Sequence, residues 1–125
     1  MTMLTTAVSA GERIFHIAKK SEWQKAQEVG SYSHKSLEAE GFIHCSIPTQ
    51  LRRVADDFFK GQIDLLLLEI DEDRLTSKIE WDYVEHLEQD FPHIYGVINL
   101  DGVKKIFELT SDKEGKVIFP AGIIE

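Results

Sequence analysis

A continuous apolar run, LLLL at residues 65–68, constrains the fold of this chain more than any other segment. It forms the middle of IDLLLLEID (63–71), a stretch that charged residues bound. A short run of this kind, without apolar–polar alternation, predicts a strand that is buried on both faces. We therefore expect residues 63–71 to form a central strand of the sheet.

Two helices are predicted before this strand. The first has Ser21 as its N-cap and Gln24 at the third helical position, a capping-box pattern, and ends at Gly30. The second begins near Pro48 and is stopped by Gly61. Its apolar positions follow a helical spacing and would form one buried stripe: Leu51, Val54, Ala55, Phe58 and Phe59. The polar segment 31–40 is expected to be irregular, with a helical turn at Ser36.

Strands dominate the remainder of the chain. The expected strands cover residues 13–18, 41–46, 78–84, 91–98, 103–110 and 116–120, and DKEG (112–115) predicts a hairpin between the last two. The order favours a single α+β domain with two main helices and a twisted, largely antiparallel sheet. We expect this domain to span residues 13–125 and to follow a flexible N-terminal tail at residues 1–12.

Charge and cysteine content exclude several classes of partner. The 125 residues carry 22 acidic and 14 basic side chains, a net charge of −8, which disfavours nucleic acid and anionic membrane surfaces. The single cysteine excludes an intramolecular disulfide. Residues 1–12 do not resemble a signal peptide, and no apolar run is long enough to span a bilayer. These features predict a cytoplasmic protein that binds a small molecule; the oligomeric state stays open.

Three histidines in separate apolar runs predict a functional site. His16 lies in IFHI, His44 in GFIHCS and His93 in FPHIYG. A buried imidazole needs a partner for each ring nitrogen, so three such rings suggest one shared polar cleft. Each could instead be an ordinary core histidine, and three rings could also hold a metal ion. The spacings lack a local ligand pair such as HxH, which makes the metal site the weaker hypothesis.

Further polar residues are expected to line the same cleft. Period-two alternation places Phe42, His44 and Ser46 on one strand face, and His93 with Tyr95 on another. Ser46 or Thr49 could alternatively cap the following helix. The candidate ligand-binding set also includes two residues from the preceding loop, Tyr32 and Ser36, although both could be ordinary loop residues.

The remaining ionisable residues include candidates for acid–base catalysis and residues that are expected to take no part in it. Glu69 and Asp71 end the central strand, and Glu80 and Asp82 flank Trp81, whose indole could raise a neighbouring carboxyl pKa. Most carboxylates at strand ends are merely solvated. Cys45 is expected to be buried and inert, and both His34 and His86 are expected to be solvent-exposed.

Taken together, GFIHCS, FPHIYG, the opening FHI strand and LLLLEID resemble the bacterial family called domain of unknown function 952. The resemblance covers residues 13 to about 122. It implies a relationship to the ADP-ribosyltransferase-like fold, a split antiparallel sheet that binds NAD in a cleft. It also implies that His16 grips a ribose or phosphate, that His44 packs on nicotinamide, and that Asp82 is the acidic residue.

This resemblance implies one main function and leaves alternatives. The main expectation is ADP-ribosyl-type transfer or hydrolysis with NAD or a related nucleotide, with His44 and Asp82 as the catalytic residues. Enzymes of this kind use a late glutamate to orient a ribose hydroxyl, and Glu108 is no unambiguous match for it. The alternatives are a non-catalytic small-ligand-binding module and the three-histidine metal enzyme.

Overall fold

A computed structural model describes residues 12–124 as one α+β domain. Within that range, the helices are α1 (Lys20–Val29), α2 (Lys35–Glu40) and α3 (Pro48–Phe58). The strands are β1 (Ile14–Lys19), β2 (Ser31–Tyr32), β3 (Ile43–His44), β4 (Leu65–Ile70), β5 (Lys78–Val84), β6 (Gln89–Tyr95), β7 (Ile98–Asn99), β8 (Val103–Ser111) and β9 (Val117–Ile118). Of the predicted tail at 1–12, all but the last residue lies outside the described range.

The apolar run forms a central strand, as predicted. In a four-stranded antiparallel sheet, β4 lies between β1 and β8, and all six of its residues are buried. Its alternate side chains enter two separate apolar clusters: Leu66, Leu68 and Ile70 on one face, Leu65 and Leu67 on the other. The strand is shorter than predicted, since Ile63 and Asp64 are exposed.

Two layers cover the faces of this central sheet. Trp23 and Ala26 of α1 pack on one face, together with Ile43 and Ile94 of a second sheet. Leu51 and Ala55 of α3 pack on the opposite face. Both faces of strands β1 and β4 are thereby removed from water, which is the main stabilising contribution in a domain of this size.

The second sheet carries the candidate site. It is antiparallel, with strand order β3-β6-β5, and pairs His44 with His93 and Glu80 with His93. A single antiparallel bridge between Phe15 and Ser46 joins it to β1 of the central sheet. A further short ladder pairs β2 with β7. The split, antiparallel arrangement agrees with the predicted α+β class.

Some helix ends match the prediction and others differ. Gly30 is the C-cap of α1, and α3 begins at Pro48, both as predicted. Helix α1 begins at Lys20, however, and its N-cap is Lys19 rather than Ser21, without a side-chain hydrogen bond.

The other differences concern α3 and α2. The residue that caps α3 is Ile47, so neither Ser46 nor Thr49 does; the helix ends before Gly61, and Phe58 is exposed. The segment 31–40, expected to be irregular with a helical turn at Ser36, contains a complete short helix, α2.

Two elements match their predictions closely. Strand β5 covers the predicted residues 78–84, and β8 with β9 forms an antiparallel hairpin around 112–115, closed by hydrogen bonds between Asp112 and Lys116. In the part of the chain that the structure describes, no helix has the length and apolar character needed to cross a membrane.

Candidate functional site

One face of the three-stranded sheet gathers polar side chains that are far apart in sequence. Side chains opposite each other on neighbouring strands share a face, and every second residue of a strand shares it too. The register therefore places His44, His93 and Tyr95 on the same face as Glu80 and Asp82. The opposite face carries Ile43, Ile79 and Ile94, which belong to the core.

His93 and Tyr95 both bind Asp82, which lies on the neighbouring strand. His93 Nδ1 is 2.8 Å from Asp82 Oδ2, and the Tyr95 hydroxyl donates to the same oxygen. Since a carboxylate only accepts, Nδ1 carries the proton and donates it. The hydrogen bonds from Tyr95 and His93 hold the pKa of Asp82 below its usual value, so the carboxylate stays ionised. The expectation that Trp81 raises this pKa is therefore wrong.

The other ring nitrogen of His93 is the unusual atom of the site. Nε2 is buried and has no hydrogen-bond partner within residues 12–124. The residue as a whole is only 3% exposed, and this burial lowers the pKa of His93 and keeps the ring neutral. Nε2 is therefore an unprotonated acceptor. A buried polar atom without a partner is costly, so it is a candidate for ligand binding or catalysis.

Aromatic rings surround His93. The Phe42 ring stacks on it at 4.1 Å between centroids and 12° between planes, and the His44 ring meets it edge-on at 5.2 Å. The Tyr95 ring lies 5.3 Å from Phe42. His44 itself is half exposed, and its Nε2 lies 3.0 Å from a Glu40 carboxylate oxygen. Sequence alternation indicates that Phe42 shares a face with His44, but not that it stacks on His93.

His16 is held entirely by protein groups. Its Nδ1 is 2.6 Å from the backbone carbonyl of His44, and its Nε2 is 2.8 Å from the Tyr32 hydroxyl. The carbonyl can only accept, so Nδ1 is protonated and Nε2 accepts from Tyr32. Burial lowers the pKa of His16 to about 4, and it raises the pKa of Tyr32. His16 and Tyr32 were both predicted to bind ligand. In the structure both are buried, and their polar atoms are already hydrogen-bonded within the fold.

His34 is a site neighbour that sequence reasoning missed. It was expected to be solvent-exposed, yet it is half buried, and its ring lies 5.7 Å from that of His16. As the N-cap of α2, its Nδ1 accepts a hydrogen bond from the Ser36 backbone N–H. Ser36 is not a loop residue either: it is buried in α2, and its hydroxyl donates to the Phe42 carbonyl. The sequence carries no signal for this cap, because histidine is not among the residues that usually cap helices.

The three predicted histidines do meet in one region, through His44. Its backbone carbonyl contacts His16, and its ring contacts His93. Ser46 lies apart from this group, since it is buried where its backbone bridges Phe15. Cys45 is buried, and burial raises the pKa of its thiol, as expected of an inert cysteine. His86 is exposed, also as expected.

The remaining carboxylates are placed outside the site or have other partners. Glu69, expected to be solvated, is buried in β4 and accepts two hydrogen bonds from Arg13. Asp71 caps the turn after β4 by accepting from the Asp73 N–H. Glu108 belongs to the central sheet and lies 3.5 Å from Lys20 Nζ. Of the four acid–base candidates, only Glu80 and Asp82 lie on the face with His93.

Metal binding finds no support in the residues described. Among residues 12–124, no group of three or more histidine, cysteine or carboxylate side chains is arranged to hold a metal ion. Two surface depressions lie elsewhere. One, of about 390 Å³, lies beside Arg52 and Phe119, and the other, of about 570 Å³, lies beside Lys20 and Gln62.

Comparison with known proteins identifies relatives of the chain. Residues 17–106 match the family described as "Protein of unknown function (DUF952)". The crystal structure of protein CC0527 from Caulobacter crescentus is similar, with a TM-score of 0.76 and 30% identity over 85% of this chain and 93% of that one. Its solution NMR structure has a TM-score of 0.70 and 30% identity over 82% and 89%. No curated protein matches the chain.

Proposed function

The chain belongs to the family of unknown function DUF952, and on that premise we propose that it acts on a ribose-bearing nucleotide at the Asp82–His93 face. The ligand is NAD or a related nucleotide, and the reaction is ADP-ribosyl-type transfer or hydrolysis. The same proposal includes a relationship to the ADP-ribosyltransferase-like fold. The split pair of antiparallel sheets, with His16 on β1 and His44 on β3, supports it.

The observation that carries this proposal is the unpartnered Nε2 of His93. Asp82 fixes the proton on Nδ1, so Nε2 presents a lone pair. A ribose hydroxyl supplies the missing donor, and the neutral ring then acts as a general base or as an orienting acceptor. A histidine whose Nδ1 is bound to a carboxylate is well suited to either role, because the ring is held in one tautomer and one orientation.

We expect ligand access to Nε2 to require movement of a neighbouring side chain, and His44, whose ring meets that of His93 edge-on, is the candidate. The His44 ring is half exposed and, among the described residues, its side chain has one hydrogen-bonding partner, the exposed Glu40 carboxylate. Exposed contacts of this kind contribute little free energy, so rotation of the His44 side chain costs little. We expect His44 to swing aside on binding and then to pack on the ligand base.

Asp82 is the residue best placed to stabilise positive charge during the reaction. Cleavage of an N-glycosidic bond develops oxocarbenium character, which an ionised carboxylate stabilises. His93 and Tyr95 both use Oδ2 of Asp82, so within residues 12–124 these two hydrogen bonds leave Oδ1 available to the substrate. His44 and Tyr95 bind the ligand, whereas His16 and Tyr32 position the His44 backbone from beneath.

A non-catalytic binding module is the second candidate, and one observation favours it. Glu108, the late glutamate considered for catalysis, lies on β8 of the other sheet beside Lys20. Without a second carboxylate on the ribose, the site could hold a nucleotide without breaking its glycosidic bond. Recovery of chemically unchanged ligand after a clear thermal stabilisation would favour this alternative.

The test combines calorimetric titration of NAD with chromatographic detection of released nicotinamide. We expect His93→Phe to abolish binding, because it removes Nε2 while keeping a stacked ring. Asp82→Asn is expected to lower turnover by about a hundredfold or more, the usual result of removing one electrostatic stabiliser.

The matched control is Asp90→Asn. Asp90 lies on the same hairpin, but its position in the register places it on the opposite sheet face. The Asp90→Asn variant should bind and turn over NAD like the unmodified chain. Absence of both a binding signal and nicotinamide release in the unmodified chain would refute the proposed function.

A further inference from the structure

We infer that the site selects the positively charged end of its ligand, a cationic heteroaromatic N-glycoside, and makes no favourable contact with a diphosphate. This inference rests on the proposed function and specifies the class of substrate. It comes from the charge of the groups on the Asp82–His93 face, from its aromatic rings, and from the hydrogen-bonding character of His93 Nε2.

The charged groups of this face are predominantly acidic. Asp82 binds His93, Glu40 binds His44, and Glu80 is directly opposite His93 in the register. Among the described residues, the one lysine or arginine in contact with any of these carboxylates is Lys78, whose Nζ is 2.7 Å from Glu80. Three carboxylates against one ammonium group, beside a neutral His93, leave the face with a surplus of negative charge, which attracts a cation and repels phosphate.

The aromatic rings provide the complementary surface for a flat cation. Phe42 stacks on His93 and lies 5.3 Å from Tyr95, whose side chain is partly exposed. Ring faces carry negative electrostatic potential and attract cations that lie over them. Carboxylates next to exposed rings therefore form a site in which a positively charged heterocycle is attracted both by the carboxylate charge and by the ring faces.

His93 Nε2 independently discriminates against phosphate. The buried atom is an acceptor, since Asp82 fixes the ring proton on the other nitrogen. An ionised phosphate oxygen is also an acceptor, so it cannot supply the missing hydrogen bond. A ribose hydroxyl can supply it. The buried atom and the charge distribution thus favour the same end of the ligand.

The experiment compares two probes of nearly equal shape and different charge. Nicotinamide riboside is cationic, and its 1,4-dihydro form is neutral. Titration calorimetry at low ionic strength should give at least about tenfold tighter binding for the cation. ADP-ribose, which carries the diphosphate and lacks the cation, should bind more weakly than either.

Charge variants test the cause of the preference. Asp82→Asn and Glu40→Gln should each reduce the ratio between the two ribosides, because each removes one negative charge from the face. Asp90→Asn, on the opposite face, should leave the ratio unchanged. Circular dichroism of each variant at the assay temperature verifies that the fold is retained.

Different outcomes would refute the charge selection and the proposed function. Equal affinity for both ribosides, a ratio that Asp82→Asn does not change, or ADP-ribose binding at least as tightly as nicotinamide riboside would overturn the charge selection alone. Failure of all three probes and of NAD itself to bind would remove the proposed function as well.

Discussion

His16 and His93 have similar sequence surroundings and nearly the same burial, yet they differ in hydrogen bonding. They are 5% and 3% exposed. His16 uses both ring nitrogens, one for the His44 carbonyl and one for Tyr32. His93 uses one nitrogen for Asp82 and leaves the other without a partner in the described chain. Burial alone therefore does not distinguish the two histidines; the count of satisfied ring nitrogens does, and it is the basis on which we propose His93 as the functional one.

The difference also separates two regions of the molecule. Around His16, the Tyr32 hydroxyl and the His44 carbonyl form a closed network next to the central sheet. Around His93, one ring nitrogen has no hydrogen-bond partner among the described residues, and the neighbouring Tyr95 and Asp82 are partly exposed. We expect the first region to contribute mainly to stability and the second mainly to ligand binding.

The largest expected effect is that of His16→Phe on stability. The substitution keeps a ring in the core but leaves the His44 carbonyl without a partner and the Tyr32 hydroxyl with only Glu22 Oε1, 3.5 Å away. One buried carbonyl without a partner and one buried hydroxyl with a long, weak hydrogen bond should together lower the free energy of unfolding by about 4 kcal/mol, measured by urea denaturation. A loss below about 1 kcal/mol would show that the His16 network is not structural.

The pH dependence of stability tests the same region. His16 has a pKa of about 4 in the folded chain against 6.5 for an ordinary histidine. The unfolded chain therefore takes up the proton first, and stability falls as the pH drops from about 6.5 to about 4. At about 1.4 kcal/mol per pH unit the loss from this residue is about 3 kcal/mol.

His34 and His93, whose pKa values are also lowered, change stability in the same direction. The measurement is a series of urea denaturations between pH 8 and pH 4. Stability that stays constant over this interval would contradict a neutral, buried His16.

The matching substitution, His93→Phe, should change stability much less than His16→Phe. It removes an unsatisfied buried nitrogen and keeps the stacking on Phe42, while Asp82 retains Tyr95 and access to water. We expect a change of no more than about 1 kcal/mol in the same urea assay. If both phenylalanine variants were equally destabilised, the contrast between the two histidines would be lost.

The smallest effect is expected from Tyr95→Phe. The Tyr95 hydroxyl is the largest contributor to the lowered pKa of Asp82, so its removal should raise that pKa. Carboxyl ¹³C chemical shifts followed by NMR during an acid titration report it directly. Asp112, whose pKa is lowered by the Lys116 and Glu114 backbone N–H groups, is the internal reference, and its pKa should be the same in both proteins. An unchanged Asp82 titration would exclude Tyr95 from the network.

Local rules predicted much of the fold but only some of the helix ends. The period-two pattern of β5 and the apolar run of β4 gave the correct elements, because each pattern reflects which faces are buried. Gly30 and Pro48 correctly marked one end each of α1 and α3.

The Ser21 cap failed because the Lys20 N–H bonds the carbonyl of Asp64, a residue distant in sequence. Helix α2 was predicted only as a turn at Ser36 because its six residues show little periodicity, and His34 and Gly41 define its ends.

By itself, the sequence determined the class of the fold, the central strand, and the burial of His16 and His93. These follow from burial patterns that a short segment already contains. Only the tertiary structure decided which histidine is saturated and which is open. That distinction depends on whether Tyr32, Asp82 or a backbone carbonyl lies within about 3 Å of a ring nitrogen. Distances of that kind are set by the packing of two sheets, and no local pattern of residues encodes them.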